Sequence, residues 1–383
     1  MKVYLDNNAT TPVAPEVMDE MAGAMKIFGN PSSLHQFGVR ARHIVEEARS
    51  RLAAALGCSE EEIIFTSGGT ESDNLAIRGA LKNTEKRHII TSAVEHHAVH
   101  NTFNELGKQG YELSRIGVDS NGVLVAGELE RALREDTALV SVMLANNETG
   151  AVQPVREIVP LIRETSPGAV IHTDAVQAFG KLDFNVKDLG VDLLSVSAHK
   201  INGPKGAGAL YIRKGVKVKH LVSGGHHERN IRPGTENVAG IAGLGKAAEL
   251  AVPLKAGVIE KMKSLKQRLI EGVREKVDNI RVNGDPENTL CNTVNISFNN
   301  VEGESVIMML DMEGIAVSTG SACTSGSLEP SHVLKAMGVD PVAAQGSIRF
   351  SMGKYTTEEE IEYLLEQLPP VILRLRKMSP LEG

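Results

Sequence analysis

Tryptophan, cysteine pairs and long apolar runs are missing from this sequence of 383 residues. With no Trp and only 3% aromatic residues, the core must be built mainly from aliphatic side chains. The three cysteines, Cys58, Cys291 and Cys323, form no CxxC pair, which argues against a disulfide framework and a cysteine-rich zinc site. No apolar run reaches the roughly eighteen residues of a membrane span.

An excess of basic residues is also missing. Lys and Arg number 41 against 48 Asp and Glu, and the net charge of -7 provides no basic surface for nucleic acid. Residues 1–17 lack a charged start followed by an apolar stretch, so we expect no secretory signal. The scattered cysteines indicate a reducing compartment. We therefore expect a cytoplasmic protein without nucleic-acid or membrane partners.

The rhythm of the chain predicts an α/β fold. Between about residues 63 and 212, helical patterns alternate with the β-branched runs EIIFTS, RHIITSA, ALVSVMLA, AVIHTDA, LLSVSAHK and GALYIR. This alternation is typical of a large α/β domain with a mainly parallel sheet, which we place at residues 15–252. A helix over residues 36–56, ending at Gly57, should cover that sheet.

The pattern changes after Gly234. A helical stretch from about residue 238 to 277 passes through Pro253, where it should bend or divide. The remainder contains strand-like TVNISF and SIRFSMG, helix-like ESVIMMLDM, a Gly/Ser-rich loop at 318–327 and a final helix. We expect a smaller α+β domain formed by residues 1–14 and 253–383, which carries the loop with Cys323.

Polar residues follow several predicted strands, where ligands bind in open parallel sheets. Gly68, Gly69 and Thr70 stand at the start of a helix, an arrangement that binds phosphate but is also an ordinary strand-to-helix turn. Asp174 can pair with a pyridinium nitrogen, although alone it is equally a helix N-cap. Lys200 follows a buried strand, where lost solvation favours imine chemistry. Together these strand ends predict a pyridoxal-phosphate (PLP) site.

Histidines cluster in EHHAVH at residues 95–100. A flat imidazole at a strand end can stack on an aromatic cofactor, and His96 fits that role. His96 and His100 are also four residues apart, as zinc ligands on a helix can be. Because no HExxH carboxylate and no obvious third ligand accompany them, the sequence predicts no metal site.

Two glycine-containing motifs suggest other ligands. GIAGLGK at residues 240–246 matches the start of a P-loop, but Ala247 stands where a Ser or Thr must hold magnesium, and the pattern around it is helical. We therefore predict no nucleotide binding there. GGHHER at residues 224–229 is interpreted as a loop that carries Arg229 and Thr235 towards an anionic site, in preference to a metal site.

Cys323 lies among small residues in STGSACTSG. Small side chains favour mobility and leave a thiol exposed, so this sulfur is able to travel. Cys58 and Cys291 lie beside ordinary elements and are interpreted as packing residues. Cys323 is therefore the predicted reactive cysteine.

With these residues assembled, the sequence resembles the cysteine desulfurases of the NifS/IscS type, among the class V aminotransferases of fold-type I. The resemblance covers essentially the whole chain, through LDNNATT, GNPSSLH, TSGGTESDN, EHHAV, NNETG, HTDAVQ, SAHK with GPKG, RPGTEN, SACTSG and RFSMG in order. It implies PLP as cofactor, L-cysteine as substrate and a homodimer. The surroundings of Cys323 resemble the longer-loop subgroup, which passes persulfide to an iron-sulfur scaffold protein of the IscU type or another acceptor.

The resemblance also implies residue roles. The catalytic residues would be Lys200, as the Schiff-base lysine, Cys323 and His96. The substrate carboxylate would be bound by Asn147 and by Arg349 as a bidentate clamp. The cofactor would be held by Gly69, Thr70, His96, Asn147, Asp174, Gln177, Ser197, His199, Lys200 and, from across a dimer interface, Thr235. The chain departs from the family pattern at His226, His227 and Pro233.

The residues leave two alternatives open. Another class V PLP enzyme, such as a selenocysteine lyase or a transaminase, would share the lysine and the aspartate without needing a thiol on a loop. A non-catalytic scaffold or metal-binding module would use Cys323 and the histidine pairs instead.

Overall fold

The computed structural model describes residues 1–251, 255–319 and 330–378. Cys323, most of the predicted Gly/Ser-rich loop and Pro253 lie outside these ranges. The strands are β1 (Val3–Tyr4), β2 (Ile63–Thr66), β3 (His88–Ser92), β4 (Glu112–Ile116), β5 (Thr137–Ser141), β6 (Val170–Asp174), β7 (Leu193–Ser197), β8 (Gly208–Ile212), β9 (Ile280–Asn283), β10 (Thr293–Phe298), β11 (Ile315–Ala316), β12 (Ser318–Thr319) and β13 (Ser347–Ser351).

The α-helices begin and end as follows: α1 (Pro15–Met25), α2 (Gln36–Leu56), α3 (Gly69–Leu81), α4 (His97–Lys108), α5 (Ala126–Ala132), α6 (Val155–Thr165), α7 (Val186–Leu189), α8 (Val238–Ala251), α9 (Lys255–Lys276), α10 (Gly303–Met312), α11 (His332–Ala336), α12 (Pro341–Gln345) and α13 (Glu358–Met378). No described helix combines the length and the apolar character that crossing a lipid bilayer requires.

Seven strands form the main sheet in the order β2-β8-β7-β6-β5-β3-β4. Strands β3 to β7 pair in parallel, whereas β8 is antiparallel to both of its neighbours, β7 and β2. The sheet is therefore mainly parallel, and the predicted α/β class is confirmed. Because β2, β5, β6 and β7 point the same way, the residues that follow them meet at one edge of the sheet.

Both faces of this sheet are covered. Alternate residues of a strand face opposite sides, so Ile63 and Phe65 join one apolar cluster while Ile64 joins another. Helices α1, α2, α6 and α8 pack on the first face, and α3 and α4 pack on the second. Burial on both sides explains why these strands are nearly continuous apolar runs in the sequence.

A separate apolar cluster joins the two ends of the chain. Helices α9, α10 and α13 pack there against β10 and β13, and Val3 and Leu5 from the N-terminus belong to the same cluster. Strand β1 pairs with β11, and β13 lies between β12 and β10. This separation supports the proposed division into a large domain, residues 15–252, and a small domain, residues 1–14 with 253–383.

Several local predictions are confirmed. Helix α2 spans the predicted residues and ends at Gly57, whose φ of 73° is the left-handed conformation that favours glycine. The GIAGLGK motif lies inside α8, where Gly245 permits close helix packing, since a Cβ there would lie 2.6 Å from the Cα of Ala48.

Strand β4 was missed because it is an edge strand in which only Ile116 is buried.

The loop before α8 is tied to the body by a buried ion pair. Glu228 accepts hydrogen bonds from Arg49 at 2.7 and 3.0 Å, and both side chains are about 5% exposed. Arg229, whose φ is 56°, donates to the main-chain carbonyls of Glu60 and Ile63. The expectation that Arg229 points towards an anionic site is therefore wrong, because the turn directs its guanidinium to the backbone.

Candidate active site

A cavity of about 330 Å³ lies at the edge where the parallel strands end. Its wall combines the segments after β1, β5, β6 and β7, the first turn of α3, the residue before α4, and β13. The predicted site residues that line it are Gly69, Thr70, His96, Asn147, Asp174, Gln177, Ser197, His199, Lys200 and Arg349. Residues that are distant in sequence thus face one another across a single space.

Two predicted site residues are not placed at this wall by the described part of the chain. Thr235 is exposed on the loop before α8 and is not among the lining residues. Cys323 lies outside the described residues. The roles suggested for both therefore stay predictions.

The cavity also contains five lining residues that sequence reasoning did not single out: Asn8, Ala9, Asp73, Met143 and Val176. Asn8 and Ala9 belong to the LDNNATT stretch and Asp73 to TSGGTESDN, so the resembling motifs contained the signal. The expectation that ligands bind where parallel strands end could not identify Asn8 and Ala9, because they follow a two-residue strand near the N-terminus.

Lys200 is anchored to the N-terminal segment. It follows β7 in a short 3-10 helix, and its Nζ donates to the carbonyl oxygens of Asn8 and Ala9, the latter at 2.8 Å. The amine is half-buried at the cavity wall. Lys200 Nζ therefore lies beside these carbonyls at the cavity wall, where it can contact a ligand in the cavity.

The start of α3 forms an anion cup. The first amides of a helix have no carbonyl partner within the helix, and they point towards bound anions. Gly68 has a φ of 153°, in the region that favours glycine, and a Cβ on Gly69 would lie only 2.8 Å from Val176. Thr70, Ser197 and His199 add polar side chains to the wall of the same cavity. This cup fits a phosphate group.

Two buried carboxyl groups face each other across the cavity floor. One carboxyl oxygen each of Asp73 and Asp174 and a ring nitrogen of His96 lie within 4.8 Å of one another. Burial raises the pKa of Asp174 to about 6, and burial with the charge of Asp174 raises the pKa of Asp73 well above its usual value. A cation placed between them would relieve this repulsion. A pyridinium nitrogen is such a cation.

Asp73 lies next to a row of polar side chains on the main sheet. His172 Nε2 lies 3.6 Å from Asp73 Oδ1, and its two ring nitrogens contact Ser141 and Ser195 at 2.8 and 3.1 Å. Burial lowers the pKa of His172 to about 3, so this imidazole is neutral near pH 7. The carboxyl pair therefore receives no positive charge from the sheet beneath it.

His96 is the N-cap of α4, where its Nδ1 accepts the Ala98 amide at 3.1 Å. Burial, and then the charge of Lys200, lowers the pKa of His96 to about 4. Because the capping bond fixes the ring and the low pKa keeps it neutral, His96 presents a flat uncharged imidazole to the cavity. That is the form that stacks on an aromatic cofactor.

Gln177 is oriented by two neighbours. Its Nε2 donates to the Asn8 carbonyl at 2.9 Å, and its Oε1 accepts from Lys181 Nζ at 3.3 Å. A carboxamide carries two N–H donors, so one remains for a ligand oxygen. This arrangement fits a contact with the phenolic oxygen of PLP.

Arg349 projects from β13 into the cavity wall. Its Nη1 donates to the Asn147 carbonyl at 3.0 Å, and its Nη2 pairs with Asp6 at 2.8 Å. A guanidinium has five N–H donors, and these two bonds leave others for a substrate carboxylate. Asp6 and Asn147 therefore fix the plane of the guanidinium before any ligand binds.

The residues present fit PLP at every part of the cofactor. The cup at α3 suits the phosphate, the carboxyl pair suits the ring nitrogen, Gln177 suits the phenolic oxygen, and His96 suits the ring face. Lys200 lies between them with an amine. A PLP enzyme of fold-type I is the class that this sheet and this cavity define.

Comparisons with known proteins agree with this class. The family model Aminotransferase class-V matches residues 3–364, so the chain belongs to the class-V aminotransferase family, whose desulfurases depend on PLP. "Cysteine desulfurase IscS" of Dictyoglomus turgidum is 50% identical over 382 residues, which cover 99% of this chain and 96% of that protein. Within the family, the chain therefore belongs to the cysteine desulfurases.

Solved structures extend the likeness to three dimensions. A structure described as "NIFS-LIKE PROTEIN" has a TM-score of 0.93 and 41% identity, and the match covers 98% of this chain and 100% of that one. "SspA in complex with cysteine" has a TM-score of 0.82 and 36% identity, over 93% of this chain and 100% of that one. The fold is therefore shared with these proteins over nearly the whole chain.

Proposed function

We propose that the protein converts L-cysteine to L-alanine and passes the sulfur through Cys323 to an acceptor protein. The observation that carries this proposal is the single cavity that brings together Lys200, a buried carboxyl pair, an anion cup and Arg349. The test is a product assay with PLP-loaded protein, L-cysteine and a thiol reductant. Alanine and sulfide should appear in equal amounts, whereas pyruvate with ammonia, or a keto acid, would contradict the proposal.

Lys200 has two tasks in this proposal. When bound, PLP withdraws electrons from the α-carbon of the substrate and so makes its proton acidic. Lys200 would hold the cofactor, and with substrate bound its amine would accept the α-proton. The carbonyls of Asn8 and Ala9 hold the same amine at the cavity wall, which keeps it near the place where it must act.

Asp174 is proposed to hold the ring nitrogen in its protonated form. Its Oδ1 accepts the Val176 amide at 2.9 Å, which fixes the carboxyl direction at the end of β6. Since burial raises the pKa of Asp174 and Asp73 adds a second carboxyl, the pair favours a cation in the cavity. Asp73 is therefore proposed to stay protonated and to leave one negative charge for the ring.

This assignment predicts different results for the two carboxyls. Asp174→Asn should lower the turnover number by about 10²–10³-fold, because a preorganised charge is lost where charge develops. Asp73→Asn resembles a protonated Asp73 in shape and charge and should reduce turnover by less than about tenfold. Steady-state alanine formation, with the absorption spectrum of the bound cofactor recorded from pH 6 to 9, checks both. Equal losses in the two variants would contradict the assignment.

Arg349 and Asn147 are proposed to bind the carboxylate of cysteine. Arg349 is 3% exposed and already oriented by Asp6, so it offers a charge-assisted contact with little loss of side-chain freedom. Because Arg349 and Lys200 line the same cavity, a substrate carboxylate held by Arg349 would keep the α-carbon near the lysine amine.

Sulfur transfer requires the Cys323 thiolate to attack the sulfur of the substrate. A sulfur–sulfur bond forms, the carbon–sulfur bond of the substrate breaks, and its electron pair stays with the substrate carbon, which gains a proton. The products are alanine and a Cys323 persulfide. His96 is neutral near pH 7 and so is in the form that accepts a proton from the thiol.

The acceptor is proposed to be an iron-sulfur scaffold protein, or another protein that takes up persulfide sulfur. The name of the relative from Dictyoglomus turgidum, cysteine desulfurase IscS, supports this choice. We place the reaction in the cytoplasm, since the two described cysteines, Cys58 and Cys291, are free thiols and fit a reducing compartment.

A homodimer is proposed from two features of the surface. Thr235 is exposed and is not among the residues that line the cavity of its own chain, as expected for a residue that serves the partner's phosphate cup. An apolar patch is exposed where α1 and α2 meet, and it includes Phe28 at 81% and Leu34 at 90% exposure, together with Phe37, whose ring centroid lies 5.1 Å from that of Phe28. Exposed patches of this kind mark interfaces.

Phe28→Glu is expected to convert the dimer to a monomer and to lower the affinity for PLP, because the partner's Thr235 would be lost from the cup. Light scattering with size-exclusion chromatography gives the mass, and a PLP titration gives the affinity. Met308→Glu, at another exposed apolar position of 69% exposure, is the matched control and should stay dimeric. A dimer that persists in Phe28→Glu would remove the patch from the interface.

A further inference from the structure

A third histidine joins two of the residues in EHHAVH. His97 and His100 lie three residues apart on one side of α4, and His332 is the first residue of α11. The ring centroid of His332 lies 5.0 Å from that of His97 and 4.8 Å from that of His100. The centroids of the His97 and His100 rings are 6.3 Å apart. None of these three residues is among those that line the cavity.

We propose that His97, His100 and His332 bind one divalent transition-metal ion of the zinc class. A zinc–nitrogen bond of about 2.1 Å places the centre of an imidazole ring about 3 Å from the ion, so tetrahedral ligands have ring centres about 5 Å apart. The three observed separations, 4.8, 5.0 and 6.3 Å, are close to this value. Three protein ligands leave the fourth position open for water or a thiolate.

The protonation of the cluster suits metal binding. Burial, and then the neighbouring His332, lowers the pKa of His100 to about 4, and burial also lowers the pKa of His332. Imidazoles ligate metals only in their neutral form, so protons do not compete with the ion at neutral pH for these two residues. All three rings are partly exposed, which gives an ion a route from solvent.

His332 is oriented by the kind of contact that metal ligands make. Its Nε2 lies 3.0 Å from the main-chain carbonyl of Glu95, and a carbonyl only accepts, so Nε2 carries the proton and donates. The neutral ring therefore presents its Nδ1 lone pair to other partners. A ligating histidine typically donates its second nitrogen to a carbonyl or carboxylate in this way.

Two features of the site weaken the binding of an ion. Among the described residues, only Asp73, His96 and Asp174 have ligand atoms that already converge within 4.8 Å, so the three rings of the proposed site must rotate to bring their nitrogens together. Arg115 Nη1 also lies 3.4 Å from both ring nitrogens of His100, and its charge repels a cation. Removal of that charge should strengthen binding.

The ion would join two segments that are far apart in the sequence. His97 follows His96, the N-cap residue that faces the cavity, and His332 follows Ser331, whose Oγ donates to Glu148 at 2.5 Å. A shared ion would therefore restrain the start of α4 against the start of α11. Occupancy of the site should raise the thermal midpoint of unfolding, since the ion binds only the folded arrangement.

The test uses PLP-loaded protein, because bound cofactor blocks the Asp73, His96 and Asp174 cluster, in a Cys323→Ser background that removes the loop thiol as a ligand. After treatment with a chelator, Zn²⁺ is titrated in a calorimeter, and Co²⁺ is titrated by its visible absorption. One ion per chain is expected. His100→Leu and His97→Gln should each weaken binding at least tenfold, whereas Arg115→Gln should tighten it.

The matched control is His226→Gln, which removes a histidine bonded to Asn230 on another loop and should leave the affinity unchanged. Circular dichroism and the PLP content show whether each variant is folded. Unchanged affinity in folded His100→Leu and His97→Gln, no binding by the parent, or loss of binding in His226→Gln would each overturn the proposal. A tetrahedral Co²⁺ spectrum that disappears in His100→Leu would support it.

Discussion

Replacing Lys200 by alanine is expected to abolish alanine formation and the absorption of covalently attached cofactor together. Lys200 is the amine of the cavity that lies among the anion cup, the carboxyl pair and His96. Loss of a positioned base alone typically lowers a rate by about 10²–10⁴-fold. The variant loses the covalent link as well, so turnover should fall at least by that factor. Absorption spectra before and after gel filtration measure the link, and alanine assays measure turnover.

Lys181 supplies the control for this experiment. It is buried near Gln177, and burial lowers its pKa to about 8, so by pKa alone it is also an amine suited to imine chemistry. However, Lys181 is not among the residues that line the cavity with Asp174 and His96. Lys181→Ala should therefore keep the covalent absorption that Lys200→Ala loses. If the absorption followed Lys181 and remained in Lys200→Ala, the assignment of the active-site lysine would be wrong.

The cavity-lining residues at strand ends were predictable because their placement depends on one rule. Parallel strands end at the same edge of a sheet, so Gly69, Asp174 and Lys200 were expected at one edge once their strands were recognised. The structure brings them into one cavity wall. Which of these strand ends lie side by side depends on the strand order, which the sequence did not provide.

Residues that come from the two ends of the chain could not be found by the same rule. Arg349 was named only through a resembling motif, and its partner Asp6 lies 343 residues away in the sequence. Asn8 and Ala9, which hold Lys200, were missed for the same reason. Periodicity describes neighbours within an element, whereas these contacts depend on how the chain ends pack together.

The histidines show the same limit. In the sequence, His96 and His100 have the spacing of a metal pair but no obvious third ligand. In the structure, the two side chains lie in different surroundings. His96 faces the cavity, and His100 instead meets His97 and His332. The contact between His332 and Glu95 spans 237 residues, so spacing along the chain contained no signal of it.

Replacing Cys323 by serine is expected to stop alanine and sulfide release from cysteine while the spectrum of the bound cofactor is retained. The two described cysteines are poor substitutes. Burial raises the pKa of Cys58 to about 12, and burial also raises the pKa of Cys291, which is 5% exposed. Both thiols therefore stay protonated at neutral pH, and the thiolate is the nucleophilic form.

Cys58→Ser and Cys291→Ser should accordingly retain turnover, and they are the matched controls for Cys323→Ser. Mass spectrometry of the parent after brief exposure to cysteine should add the mass of one sulfur atom to the peptide that contains Cys323. Because Lys200 and the cavity remain intact in Cys323→Ser, this variant separates sulfur transfer from the steps at the α-carbon. Undiminished alanine release from it would mean that the carbon–sulfur bond breaks without this thiol, as in a PLP lyase.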